Sequence, residues 1–291
     1  MAPDPIRQSD SMSWQSALQI EREQKQWPGR VLVGFDGSPT SGLAVEWAIR
    51  EVAVRGSSLR IGNSSMSTCF HRDGVGVLHD QRLSRLLREL HDAHPSMVVD
   101  LTMTQGDPRQ ALIEEAQSCD LLVLPAPDAG AAEAVLLGSL ARTAVRRSPC
   151  PVAVVRGSTT GPLRRIVVGV DGSSAAEAAI DWACDEANLH GAELVVIHSR
   201  HGEISRAEAG CVLDLALDQC RERTEVGVSG HLAEGSPTSA LIDASRTADL
   251  VAIGSRGRSG FKTAVFGSVA LSVAGAAWCP VAITHPRLRR D

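Results

Sequence analysis

The chain has 291 residues, with 34 acidic against 29 basic side chains, a formal net charge of -5 and an isoelectric point near 6.0. That length suits two domains, each able to bury a core without disulfides or metals, and the charge lacks the basic footprint that nucleic-acid binding leaves. Seven cysteines (Cys69, Cys119, Cys150, Cys184, Cys211, Cys220 and Cys279) form no C-x-x-C pair and are odd in number, which argues against a disulfide framework and for a reducing cytoplasm.

Residues 1–29 lack the uninterrupted apolar core of a signal peptide, and no later run is long enough to span a bilayer, so no membrane partner is expected. They read as an N-terminal extension, either a disordered arm or a short helix around 17–25. The next segment, Val33-Gly34-Phe35-Asp36-Gly37-Ser38, reappears as Val168-Gly169-Val170-Asp171-Gly172-Ser173, and Trp47-Ala48 reappears as Trp182-Ala183, both at an offset of 135 residues. Further on, Ala111-Leu112-Ile113, Gly138-Ser139 and Cys150-Pro151-Val152-Ala153 match Ala240-Leu241-Ile242, Gly267-Ser268 and Cys279-Pro280-Val281-Ala282 at an offset of 129. One unit is therefore present twice, over 30–156 and 164–286, joined by a Gly- and Pro-bounded linker at 157–163.

Within each unit short β-branched runs alternate with longer amphipathic ones, the pattern of βαβ units around a parallel sheet. In the second copy strands are expected at 165–170, 193–198, 224–231, 250–254 and 281–284. Ser174-Ala175-Ala176-Glu177 reads as a capping box opening the first helix of that copy. Trp47 and Trp182 are expected to anchor the two cores, and Cys150 and Cys279, each before a proline and the last strand, are expected to pack rather than react.

Chemistry concentrates in Gly254-Ser255-Arg256-Gly257-Arg258-Ser259-Gly260, which follows a strand and precedes a helix opened by Gly267-Ser268. Glycines let backbone N–H groups approach phosphate oxygens, and a helix N-terminus adds unpaired donors and partial positive charge. Arg256, Arg258 and Lys262 add three cations, and Ser268 is placed to cap the helix or donate to a phosphate. A solvated basic surface loop fits the same spacing. Asp171 ends the first strand, where a carboxylate accepts from a ribose hydroxyl or simply caps a turn.

Gly254-x2-Gly257-x9-Gly267-Ser268, the Val-Gly-Val-Asp-Gly-Ser start and the Cys-Pro-Val ending together resemble the universal stress protein family, over both copies. The resemblance implies an α/β fold of two tandem, doubly wound, Rossmann-like domains, each with a five-stranded parallel sheet of order 3-2-1-4-5. It implies ATP, with Mg2+, held by Val170, Asp171, the strand end at His198-Ser199 through its backbone, Gly254, Arg256, Gly257, Gly267, Ser268 and Val269. It further implies pairing through the last strands, either between the two copies or in a homodimer.

The first copy departs from the pattern. Pro125 and Asp128 stand where the second copy has Gly254 and Gly257, and Glu133 replaces Lys262, so a missing N–H and two anions meet the phosphates. Asp36, Gly138 and Ser139 survive, but the second strand, Leu59-Arg60-Ile61-Gly62-Asn63, looks weakened. The first copy is therefore expected to bind nucleotide weakly or not at all and to serve as an internal partner.

Phe261 interrupts the Gly-Lys adjacency that a P-loop needs, no G-x-G-x-x-G follows a strand, and the histidines do not cluster at metal-ligand spacing. His198 reads as a strand-end residue rather than a base. Two readings of function remain beside the ATP-binding signalling module: a slow ATPase or phosphotransferase at the same site, and a scaffold that binds no nucleotide.

Overall fold

The computed structural model describes residues 29–63, 81–103, 107–126, 137–157, 161–257 and 267–286. In chain order the first half contributes β1 (Arg30–Phe35), α1 (Pro39–Arg55), β2 (Ser58–Asn63), α2 (Gln81–Ala93), β3 (Val99–Met103), α3 (Pro108–Glu115), β4 (Leu121–Pro125), α4 (Ser139–Arg147) and β5 (Val152–Val155). The second half repeats the plan with β6 (Arg165–Val170), α5 (Ser174–His190), β7 (Glu193–Arg200), α6 (Arg206–Arg223), β8 (Val228–Glu234), α7 (Pro237–Ala244), β9 (Leu250–Gly254), α8 (Ser268–Ala276) and β10 (Val281–Thr284).

The strands lie in the order β3-β2-β1-β4-β5-β10-β9-β6-β7-β8. Each half is a parallel 3-2-1-4-5 sheet, and the halves meet where β5 and β10 pair antiparallel, Val154 opposite Val281 and Ala153 opposite Ala282. The pairing through the last strands thus takes its intramolecular form. Where both faces of the sheet are covered, at its centre, a strand is apolar along its whole length, as in Leu250–Gly254, where all five residues are buried. One core lies under α1, α2, α5 and α6 and runs across both halves. The other lies under α3, α4, α7 and α8.

The seam between the halves follows the internal repeat. Past β5, the guanidinium of Arg156 donates to the carbonyl of Gly275, at the end of α8 (2.6 Å). Past β10, His285 Nε2 donates to the carbonyl of Val145, near the end of α4 (2.7 Å). Each half thereby satisfies a carbonyl from the last turn of the other's helix. On the opposite face α1 packs against α5, bringing together Glu51, Arg55, Glu186 and His190. The first two sit 135 residues before the last two.

Several expectations shift. The N-cap of α5 is Ser173, whose hydroxyl accepts the Ala176 N–H (3.2 Å), so the cap sits one residue before the predicted Ser174 and, with Ala176 at the third helical position, is a simple cap rather than the predicted box. The strand expected at 224–231 lies at Val228–Glu234 instead, because Thr224 still ends α6, its N–H and hydroxyl both donating to the Cys220 carbonyl. β7 runs two residues further than expected, to Arg200. The supposedly weak β2 pairs fully with β1 and β3: Leu59 and Ile61 are buried, and Arg60 bridges Asp100 and Glu115 on the other face. Trp47 is buried, whereas Trp182 is only half buried against the core. The helix suggested near 17–25 lies outside the described residues, as do positions 158–160 of the linker.

Candidate nucleotide site

In an open parallel sheet the strand carboxyl ends diverge beside the point where strand order reverses, and a crevice opens there. In the second half that point lies between β6 and β9, and a cavity of about 330 Å³ occupies it. Val170 and Asp171 reach it from the end of β6, Ser199 from β7, Gly254, Arg256 and Gly257 from the end of β9, and Gly267, Ser268 and Val269 from the start of α8. Ala176, Ile197, Leu241 and Ile253 form apolar walls. All nine sequence-predicted residues line this one space.

The glycines are needed for closeness. A Cβ on Gly254 would sit 2.5 Å from the carbonyl carbon and oxygen of Ala175, so only a residue without a side chain lets β9 end against the first turn of α5. A Cβ on Gly257 would lie 2.6 Å from a carboxylate oxygen of Asp171, the contact that closes the loop onto the end of β6. At α8 the N-cap is Gly267 and no side chain caps the helix. Ser268 is its first residue and not its cap, a correction that follows from Gly267 holding the non-helical backbone angles. Among the described residues no side chain accepts from the first-turn amides of α8, which border the cavity, the arrangement that favours an anion.

Asp171 does what a turn aspartate does and more. Its Oδ1 accepts the Ser173 N–H (3.0 Å), which sets Ser173 to cap α5, while its second oxygen faces Gly257 at the cavity wall. The Ser199 hydroxyl is taken by the Gly235 carbonyl (2.6 Å), which leaves its backbone as the polar part bordering the cavity. His198, expected at the strand end, is buried inside β7, two residues before its end, with Nδ1 2.7 Å from the Val170 carbonyl, so that nitrogen carries the proton and locks the ring to β6. His201 and Pro237 also line the cavity. Neither was singled out from sequence, although each sits just past a strand or at the start of a helix on the crevice side, the position that marks them.

Arg258 and Lys262 lie outside the described residues, as do Asp128 and Glu133 of the first half. What is described of the first half keeps the same backbone path. Ala126 N–H reaches the Val155 carbonyl at 2.8 Å, as Ser255 N–H reaches Thr284 at 2.8 Å. Pro125 ends β4 opposite Val155, Gly138 is the N-cap of α4, and Ser139 its first residue. Asp36 Oδ1 accepts the Ser38 N–H (2.9 Å). Burial alone would raise the Asp36 carboxyl, but hydrogen bonds from Ser38 and Ser41 hold it below its ordinary value. Cys150 and Cys279 are buried before the last strands, and burial pushes both thiols up to about 12, which suits packing.

The chain matches the model of the Universal stress protein family twice, over residues 29–156 and 162–285. It belongs to the universal stress protein family. A universal stress protein of Mycobacterium tuberculosis is 29% identical over 284 residues, covering 88% of this chain and 96% of the relative. One from Mycolicibacterium smegmatis is 27% identical over 285 residues, covering 88% and 97%. The structure of a universal stress protein from Archaeoglobus fulgidus superposes with a TM-score of 0.65 over 88% of this chain and 96% of the other at 19% identity, a likeness of fold. This universal stress protein is thus a tandem member, and no helix among the described residues is long and apolar enough to cross a membrane.

Proposed function

We propose that the second half binds an adenine nucleotide, ATP with Mg2+ in the first instance, and that its occupancy alters how this cytoplasmic protein engages a protein partner in a stress response. The observation that supports this most strongly is the convergence of Asp171, Arg256, the glycines and the α8 start on a single crevice of ligand size. The base would lie toward the β7 end against Ile197 and Leu241, the ribose at Asp171, and the phosphates between Gly257 and the first turn of α8. Magnesium would travel with the phosphates and neutralise part of their charge. The chain's own part is to orient: backbone donors and Arg256 meet the anion, and Asp171 accepts from a hydroxyl. We read residues 30–156 and 164–286 as two domains, the first a silent internal partner, and the protein as a binding module rather than an enzyme.

Calorimetric titration of ATP with magnesium into the full chain tests this. About one site per chain, lost in Gly257→Asp, is the expected result. Two sites would show that Pro125 and Asp128 do not silence the first half, and no heat in protein freed of nucleotide would refute the reading.

A further inference from the structure

Four ionisable side chains meet between α1 and α5, beside the seam of the two halves. Arg55 donates its Nε to Glu51 (3.2 Å) and an Nη2 to Glu186. His190 Nε2 lies 3.3 Å from Glu51 and 3.7 Å from Glu186. Glu51 and Glu186 are 1% and 2% exposed, and the His190 ring is 4% exposed. Among the described residues, these are the groups that face Glu186: Glu51 and Arg55 from α1 and His190 from its own helix. Arg50 acts further out, on Glu46 and Glu51. The nearby seam strands β5 and β10 are made of Val, Ala, Ile and Thr and bring no charge.

Two carboxylates share one permanent cation. With a proton on the Glu186–His190 side the quartet is balanced. Without it a net negative charge rests on two carboxylates that are almost fully buried, and they repel across the interface. Neither half contains the quartet alone, so the cost falls on the contact between α1 and α5.

We infer that this quartet is a proton-dependent latch between the two halves, closed when it holds its extra proton and loosened when that proton leaves. Burial pushes the Glu186 carboxyl up from 4.5 to about 7, with Arg55 and His190 opposing and Glu51 adding to the push. A group that binds its proton more tightly folded than unfolded stabilises most at low pH. That stabilisation is present below about 4.5 and is lost as pH rises through about 7. None of the four latch residues lines the crevice.

The test is amide hydrogen exchange on the full chain between pH 5 and 8, read at β5 and β10 and corrected for intrinsic base catalysis, in wild type and Glu186→Gln. Wild-type seam opening should rise on the order of a hundredfold across this range relative to the variant, which cannot lose the proton. The comparison with the variant matters because His285, also at the seam, is held below its usual value by burial and contributes with the opposite sign. Parallel profiles in the two proteins would overturn the proposal. If the variant does not fold, carboxyl carbon NMR of wild type decides: a Glu186 midpoint near 7 supports the latch, and one near 4.5 overturns it.

Discussion

Gly254 shows how tightly a single residue constrains the crevice. A methyl group there meets the Ala175 backbone at 2.5 Å, and a backbone at the start of a capped helix has little room to retreat. Gly254→Ala should cost about 1–3 kcal/mol in urea unfolding, within the range for overpacking, and should weaken nucleotide binding as α5 is displaced. An unchanged midpoint would mean that the β9 end adjusts more freely than its contacts imply. The cysteines separate by environment in the same way. Brief alkylation at pH 8 followed by peptide mapping should label exposed Cys211 and spare buried Cys150 and Cys279, whose thiols stay protonated. These assignments were legible in advance because glycine spacing and a Cys-Pro before a strand each have few structural uses. Ser173 against Ser174 was not: both are good cap residues, and the choice is made by the turn that Asp171 holds through the Ser173 N–H, which no spacing rule encodes.

Among the elements, the buried strands were readable and the edge strand was not. β6 and β9 have neighbours on both sides and, past Arg165 at the start of β6, are apolar throughout, so their limits follow closely from the apolar run. Among the described residues β8 pairs with β7 alone, and it is mostly solvent-facing. Its start is set by where α6 ends, a decision made by Thr224 and invisible in the β-branched pattern. β2 misled in the opposite direction, since an arginine between Leu59 and Ile61 and a glycine after them look unsuited to a strand until Arg60 is seen bridging two acids. The repeated tryptophans also part company. Trp47→Ala should lose about 3–5 kcal/mol, as for a large buried aromatic, while Trp182→Ala should lose clearly less. Equal losses in chemical denaturation would contradict the difference in burial. Ser173→Ala should cost about 1 kcal/mol through the lost cap, and Ser174→Ala a few tenths at most.

At the scale of the molecule, the duplication could be read directly from the chain, but the manner of joining could not, because a last strand pairs equally well with its own copy or with another chain. Here β5 meets β10, and Arg156 and His285 cross over reciprocally. Residues 30–156 expressed alone would expose the apolar edge Val152–Val155, an open template for pairing. That fragment should sediment as a dimer at micromolar concentration. A stable monomer would show that the seam depends on specific contacts of the second half rather than on the edge itself.

The antiparallel meeting of β5 and β10 has one more consequence. All strands of one half run against all strands of the other, so the two sets of carboxyl ends open on opposite margins of the sheet. In an assembly of two identical chains every mutation strikes both crevices at once, and neither can be given up alone. Fusion into one chain gives each crevice its own codons. Pro125 can therefore stand where Gly254 stands, with the shared sheet intact and the second crevice untouched.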